Sequence, residues 1–251
     1  MFDLESIYGP DPLANPYYHE LLAGAGVKQT WSWRWVVEPA NPKPRPLYKM
    51  LNVRFLLGMP APVSPEMKAL EGPALDLDII QNEREWPRAF FAGALQSYDR
   101  LDQFLDLLSQ ADSHPFAATQ AADGDIPGVE RTAGAAAVPA RDYLLTNNTT
   151  TFTIDAPAPG VAVLTEAYVP GDFRVTLNGA PADYFRVNHA FRGVKIPSPG
   201  RYVVSYSYWP RHFTLSLVMA AAGSLILTAW MITTLRRPRH AMNPAGNGLH
   251  A

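Results

Sequence analysis

"TTFTIDAPAPGVAVLTEAYVPGDFRVTLNGAPADYFRVNHAFRGVKIPSPGRYVVSYSY", residues 150–208, is a run of short apolar stretches broken by Pro, Gly, Asn and Asp. The breaks recur roughly every 8 to 12 residues, which is the pattern of an antiparallel β-sandwich. Strands are expected in "TTFTID", "GVAVLTEAY", "FRVTLN", "DYFRV", "FRGVKI" and "RYVVSYSY". Between them "APAPG", "VPGD", "LNGAPA" and "PSPG" supply the positive φ angles or fixed proline φ that reversals need. Asn178-Gly179 favours a type I′ hairpin, because both central residues of that turn are left-handed. In the last strand Tyr202, Val204, Tyr206 and Tyr208 fall on one face, and Val203, Ser205 and Ser207 on the other.

That strand runs almost directly into "FTLSLVMAAAGSLILTAWMITTL", residues 213–235, which holds no charge until Arg236. As a helix it would reach about 34 Å, slightly more than the hydrocarbon core of a bilayer, and it predicts a transmembrane helix. Trp209 and Phe213 lie where one interfacial aromatic belt would be, Trp230 near the other, with Arg236 and Arg237 just beyond. Ala220 and Ser224 have the small-xxx-small spacing that lets a second helix approach.

Sidedness is contested within the sequence. The N-terminal "MFDLESIYGPDPLANPYYHELL" has acids at Asp3, Glu5 and Asp11 and no basic region before an apolar core, so it does not read as a signal peptide. A complete product would then be tail-anchored, with residues 1–212 in the cytoplasm. Arg236, Arg237 and Arg239 against Arg201 and Arg211 favour the tail as the cytoplasmic side instead. Both hold if the chain is the C-terminal piece of a polytopic protein.

Upstream, Asn15 and Pro16 fit the cap and first position of a helix in "NPYYHELLAG". "WSWRWVVE" places Trp31, Trp33 and Trp35 on one face of a strand or ledge. "LYKML" reads as a short helix, and "NVRFLLG" and "WPRAFFAG" as strands. "ALDLDII" alternates, with Asp76 and Asp78 on one face, suited either to chemistry or to a solvated edge. Residues 97–111 form the clearest amphipathic helix, through Leu101, Phe104, Leu105 and Leu108. Residues 112–140, rich in Ala, Gly, Asp and Pro, read as a mobile insertion.

The expected architecture is therefore mainly β: a jelly-roll-like antiparallel sandwich with helical insertions, then one C-terminal transmembrane helix. The divisions are a mixed α/β region 1–140, the sandwich 141–212, the span 213–235 and a basic tail 236–251. A net charge of −2 gives no basic footprint for nucleic acid, and the lack of cysteine excludes disulfides and thiol catalysis. The six histidines have no metal-ligand spacing, and no phosphate loop or nucleophile elbow occurs, so no metal, cofactor or catalytic residue is expected.

Residues 153–213 resemble the C-terminal extracytoplasmic region of the YfhO family of bacterial polytopic membrane proteins, which belong with the GT-C type glycosyltransferases. The positions carrying the resemblance are Tyr168, Pro170, Gly171, Gly179, Asn188, Phe191, Arg192, Val194, Pro197, Gly200 and Pro210. "YGPDPLANPYYHELL", "LNVRFLL" and "NEREWPRAFF" follow the family's order of segments, whereas 112–140 does not, and Asp172-Phe173 stands where the family has Trp after the Gly. The resemblance implies a bacterial cell-membrane protein with residues 1–212 outside and the tail within. Its partners would be the lipid bilayer, further membrane helices of the same protein or a split partner, and a polyprenyl-phosphate sugar or glycopolymer. The chain would be an accessory region lacking the catalytic membrane core. Arg88, Asn188 and Arg192 are the candidate binding residues, because Arg beside an aromatic can take an anionic polymer. Their alternative role is structural, Asn188 in a turn and Arg192 paired with an acid. A membrane-anchored, non-catalytic carbohydrate-binding or structural sandwich is the alternative function.

Overall fold

The computed structural model describes residues 15–31, 34–36, 41–58, 67–70, 78–82, 84–129 and 137–236. The chain divides into two units, Met1–Tyr208 and Trp209–Ala251. In chain order the first begins with α1 (Pro16–Gly24), β1 (Lys28–Trp31), β2 (Arg34–Val36), α2 (Arg45–Met50), β3 (Phe55–Gly58), β4 (Met67–Leu70) and β5 (Asp78–Asn82). It continues with β6 (Ala89–Ala92), β7 (Leu95–Tyr98), α3 (Leu101–Gln110), β8 (Ala117–Gln120), β9 (Ala137–Pro139) and β10 (Arg141–Leu145). The remaining strands are β11 (Thr149–Ala156), β12 (Gly160–Ala167), β13 (Phe173–Leu177), β14 (Ala180–Ala182), β15 (Tyr184–Val187), β16 (Phe191–Ile196) and β17 (Gly200–Tyr208).

The fold is mainly β, and its centre is a sandwich of two five-stranded antiparallel sheets, ordered β10-β11-β17-β13-β14 and β15-β16-β12-β6-β9. The chain changes sheets from β11 to β12, β12 to β13, β14 to β15 and β16 to β17, which is the jelly-roll manner of connection. Phe152, Ile154, Val204 and Tyr206 from one sheet meet Phe91, Ala162, Leu164, Val194 and Ile196 from the other. Phe152 is fully buried, so Phe152→Ala would cost about 3–5 kcal/mol.

The second sheet is covered on both faces. Its other side carries Phe90, Val161, Val163 and Phe191 against Leu21 and Leu22 of α1, Tyr48 and Met50 of α2, and Phe104 and Leu108 of α3. This explains why "GVAVLTEAY" is apolar without alternation: Val161 and Val163 face the helices, while Ala162 and Leu164 face the opposite sheet. At the head of that strand a Cβ on Gly160 would meet the Ala92 carbonyl oxygen at 2.4 Å, so only glycine lets the two backbones approach.

Every strand expected within residues 150–208 is present. The type I′ turn also forms, with Asn178 at φ 49° and Gly179 at φ 81°, and Leu177 opposite Ala180. Asn15 caps α1 by accepting from the Tyr18 N–H at 3.2 Å, and its amide donates to the Tyr168 carbonyl, fastening α1 to the loop after β12.

Four expectations change. The boundary at residue 141 dissolves, because β6 pairs with β12 and β9 pairs with β6 inside the sandwich. The segment 112–140 is not one insertion: β7, α3 and β8 form a parallel β-α-β unit, and Ala117, Ala118 and Thr119 are buried. Small residues serve close packing there, and their composition imitates a loop. β1 and β2 pair antiparallel, with Trp31 opposite Arg34 and Gln29 opposite Trp35, so Trp31 and Trp35 lie on different strands; Ser32 and Trp33 lie outside the described residues. Asp78 opens β5, the central strand of β3-β5-β4 rather than an edge, and Asp76 lies outside the described residues.

The second unit contains α4 (Phe213–Leu235), the uncharged stretch in full, exposed along its length and long and apolar enough to cross a membrane. Of the basic tail, only Arg236 lies among the described residues.

Candidate binding cleft beside Arg192

Arg192 is the second residue of β16, opposite Leu164 on β12 and Arg186 on β15. Its side chain is only 4% exposed. A guanidinium in that position requires a counter-charge, and Glu166 supplies it by accepting from Arg192 Nη2. Glu166 reaches there because the β12–β16 register slips between Leu164 and Ala167, a bulge that re-aims the end of the strand. The carboxylate is held further by the Tyr143 hydroxyl at 2.9 Å and the Thr150 hydroxyl at 3.1 and 3.2 Å.

Aromatic rings complete the enclosure. The Arg192 guanidinium lies 3.9 Å from the ring centre of Phe173 and 4.9 Å from that of Tyr206. Burial lowers its proton affinity, and the Glu166 charge opposes that shift. Arg192 Nε and Nη1 have no hydrogen-bond partner among the described residues.

In front of this pair opens a cleft of about 340 Å³, lined among others by Tyr18, Arg88, Glu166, Val169, Phe173 and Arg192. Arg88 enters it from just before β6, where its carbonyl accepts from both the N–H and the hydroxyl of Thr165, each at 2.9 Å. Burial raises the Tyr18 phenol, and the nearby Arg88 charge pulls it back down. Two guanidiniums and one carboxylate leave the lining net cationic beside aromatic surface. Such a lining suits a polyhydroxylated ligand that carries an anionic group.

Two of the three candidate binding residues, Arg88 and Arg192, therefore share one cleft, and Arg192 also takes the acid pairing of its structural alternative. Asn188 does not line the cleft. It sits in the β15–β16 turn at φ 48°, where its N–H donates to the Ala118 carbonyl at 2.7 Å and its Oδ1 accepts from the Ala118 N–H at 2.8 Å. Its Nδ2 donates to the Phe116 carbonyl at 2.9 Å, so the whole side chain is engaged in fastening β8. Sequence reading missed Glu166, Phe173 and Tyr18. Glu166 did leave a signal, as the only charge in "GVAVLTEAY".

Within the helical unit, Trp209 and Phe213 pack edge to face with centres 5.0 Å apart, and Trp209 Nε1 donates to the Thr214 hydroxyl at 3.0 Å. Trp230 is exposed, Arg236 follows the last turn, and Arg237 lies outside the described residues. The Ser224 hydroxyl donates to the Ala220 carbonyl at 2.8 Å, so it is satisfied within its own helix.

Compared with known proteins, the chain matches no family model, no curated protein and no solved structure.

Proposed function

We propose that residues 1–212 form an extracytoplasmic accessory module and that α4 is the closing membrane helix of a YfhO-like bacterial protein. Such a protein would handle polyprenyl-phosphate-linked sugars for cell-envelope polymers. The observation that carries this reading is the joint between the parts: β17, the last sandwich strand, ends at Tyr208, and only Trp209–His212 separate it from a 23-residue uncharged helix. A single apolar helix joined this closely to a folded module suits an anchor or the end of a bundle, with the arginine cluster on the cytoplasmic side. The cleft beside Arg192 is the place where the module would hold a sugar or glycopolymer carrying an anionic group.

The chain has no cysteine, so single cysteines report topology without background. In intact cells, a membrane-impermeant maleimide should label Pro157→Cys in the module and leave Ala245→Cys in the tail unlabelled until the cells are permeabilised. The opposite pattern refutes the orientation.

A second reading is a membrane-anchored, non-catalytic carbohydrate-binding sandwich, favoured by the aromatic and cationic lining of the cleft. A glycan screen with the purified full chain distinguishes the two. Specific binding without further membrane helices, lost in Arg88→Gln at unchanged melting temperature, supports the second reading. Binding only in the presence of a co-expressed membrane partner supports the first.

A further inference from the structure

Five large apolar side chains of the sandwich unit are exposed among the described residues: Phe55, Leu144, Leu145, Val203 and Tyr208. Three of them share one end of one sheet. Leu144 and Leu145 pair with Thr151 and Thr150 of β11, Thr150 pairs with Tyr206 of β17, and the Tyr208 N–H donates to the Asn148 carbonyl at 2.8 Å. Leu144 is 61% exposed, Leu145 42% and Tyr208 45%. The hairpin joining β10 to β11 is Thr146-Asn147-Asn148, and no charge occurs from Tyr143 to Ile154.

The charged pairs of the same sheet lie toward its other end. Arg141 donates to Asp155, and Arg201 lies 3.7 Å from Asp142. Asp155 pairs with Arg201 at the start of β17. The sheet is thus polarised along its strands, with ion pairs where β17 begins and bare leucines where it ends. Charged groups beside the apolar end are Asp172 and Arg174, close to Phe173, which pairs with Tyr208, and the inward-facing Glu166, which accepts from the Tyr143 and Thr150 hydroxyls.

Chain connectivity says what such an end would meet. From Tyr208 to Phe213 the backbone can reach at most about 18 Å, whereas the nine residues of β17 extend roughly 30 Å in the other direction. If α4 crosses a bilayer, as proposed above, this short connection keeps the leucine end within reach of the lipid surface. An apolar hairpin tip flanked by tyrosine fits the boundary between headgroups and acyl chains, where amphipathic aromatics concentrate.

We propose that the β10–β11 hairpin is a lipid-contacting tip, with Leu144 and Leu145 inserted at the bilayer surface beside Tyr208. It steadies the sandwich against the membrane, with its ligand the bilayer itself. The cleft beside Arg192 is lined in part by Phe173, the strand neighbour of Tyr208.

The test uses the full chain in vesicles of phosphatidylcholine and phosphatidylglycerol. An environment-sensitive dye is attached to single cysteines in Leu144→Cys, Leu145→Cys, Pro157→Cys and Leu225→Cys. Because Leu144, Leu145 and Pro157 are exposed, these changes leave the core intact, and an unchanged melting transition verifies it. Blue-shifted emission at 144 and 145, quenched by doxyl-labelled lipid and not by iodide, is expected, with the dye at 157 quenched by iodide alone. If 225 is lipid-quenched while 144 and 145 behave like 157, the tip proposal is overturned and the membrane helix stands. If 225 is quenched by iodide, the membrane reading falls and the tip falls with it. Lipid quenching at 157 as well as at 144 and 145 also overturns the tip, because the polarity would then be absent.

Discussion

Replacing Asn188 by alanine should destabilise the folded unit severely while leaving no mark on a ligand. The substitution strands two buried backbone groups, the Ala118 N–H and the Phe116 carbonyl, which now meet Asn188 at 2.8 and 2.9 Å. Each unsatisfied group costs about 1–3 kcal/mol. Asn188 also sits at φ 48°, a left-handed conformation that asparagine tolerates and alanine occupies at about 1 kcal/mol or more. The sum is about 3–7 kcal/mol, or a fall in melting temperature of roughly 6–28 °C for a domain near 200 residues. Asn188→Gly relieves the backbone conformation but not the lost hydrogen bonds, so it should fall between wild type and alanine. Near-ultraviolet circular dichroism of the full chain in detergent, followed through thermal unfolding, measures this series. A shift below about 2 °C for Asn188→Ala would refute the reasoning and return Asn188 to the binding residues.

Three more outcomes follow from the packing. Glu166→Ala leaves the buried Arg192 uncompensated and should cost about 3–5 kcal/mol. The double change Glu166→Leu with Arg192→Met should cost less than the two single changes summed, and additivity in denaturant unfolding would show that the pair is not coupled. The buried His189 ring, placed between Tyr98 and Glu20, has its pKa lowered, chiefly by burial and then by the Arg186 charge. It stays neutral when folded, while the unfolded chain binds a proton below about pH 6.5, so stability should fall as pH drops from there toward the lowered value. His189→Asn, which suits φ 69°, should flatten that slope in unfolding curves taken between pH 7 and 5. Gly179→Ala meets no atom within 4 Å and should cost about 1–2 kcal/mol for its φ alone. Gly160→Ala collides with the Ala92 backbone and should cost more, with the order read from their melting temperatures.

Six of the seven strands between Thr149 and Tyr208 were legible because each combines a local apolar pattern with turn residues between it and the next, as at Asn178-Gly179; the short β14 was not, because it falls in "LNGAPA", which reads as a turn. β8 and β9 were not legible. "AATQ" and "AVP" owe their conformation to β7 and β6, which lie elsewhere in the chain. The candidate site divides in the same way. Arg192 stood out as a cation in a β segment, but its carboxylate partner comes from a different strand through a bulge that no local pattern records.

The sequence by itself determined that this chain makes a strand-rich module and one helix of membrane length, because periodicity, turn chemistry and an uncharged run are local properties. Only the tertiary structure decided which strands share a sheet, that Asn188 fastens β8, and that Arg88, Glu166 and Arg192 line one cleft. Those are matters of which distant residues meet, and the free energy of burying a charge or a backbone amide is fixed by that meeting rather than by either residue alone.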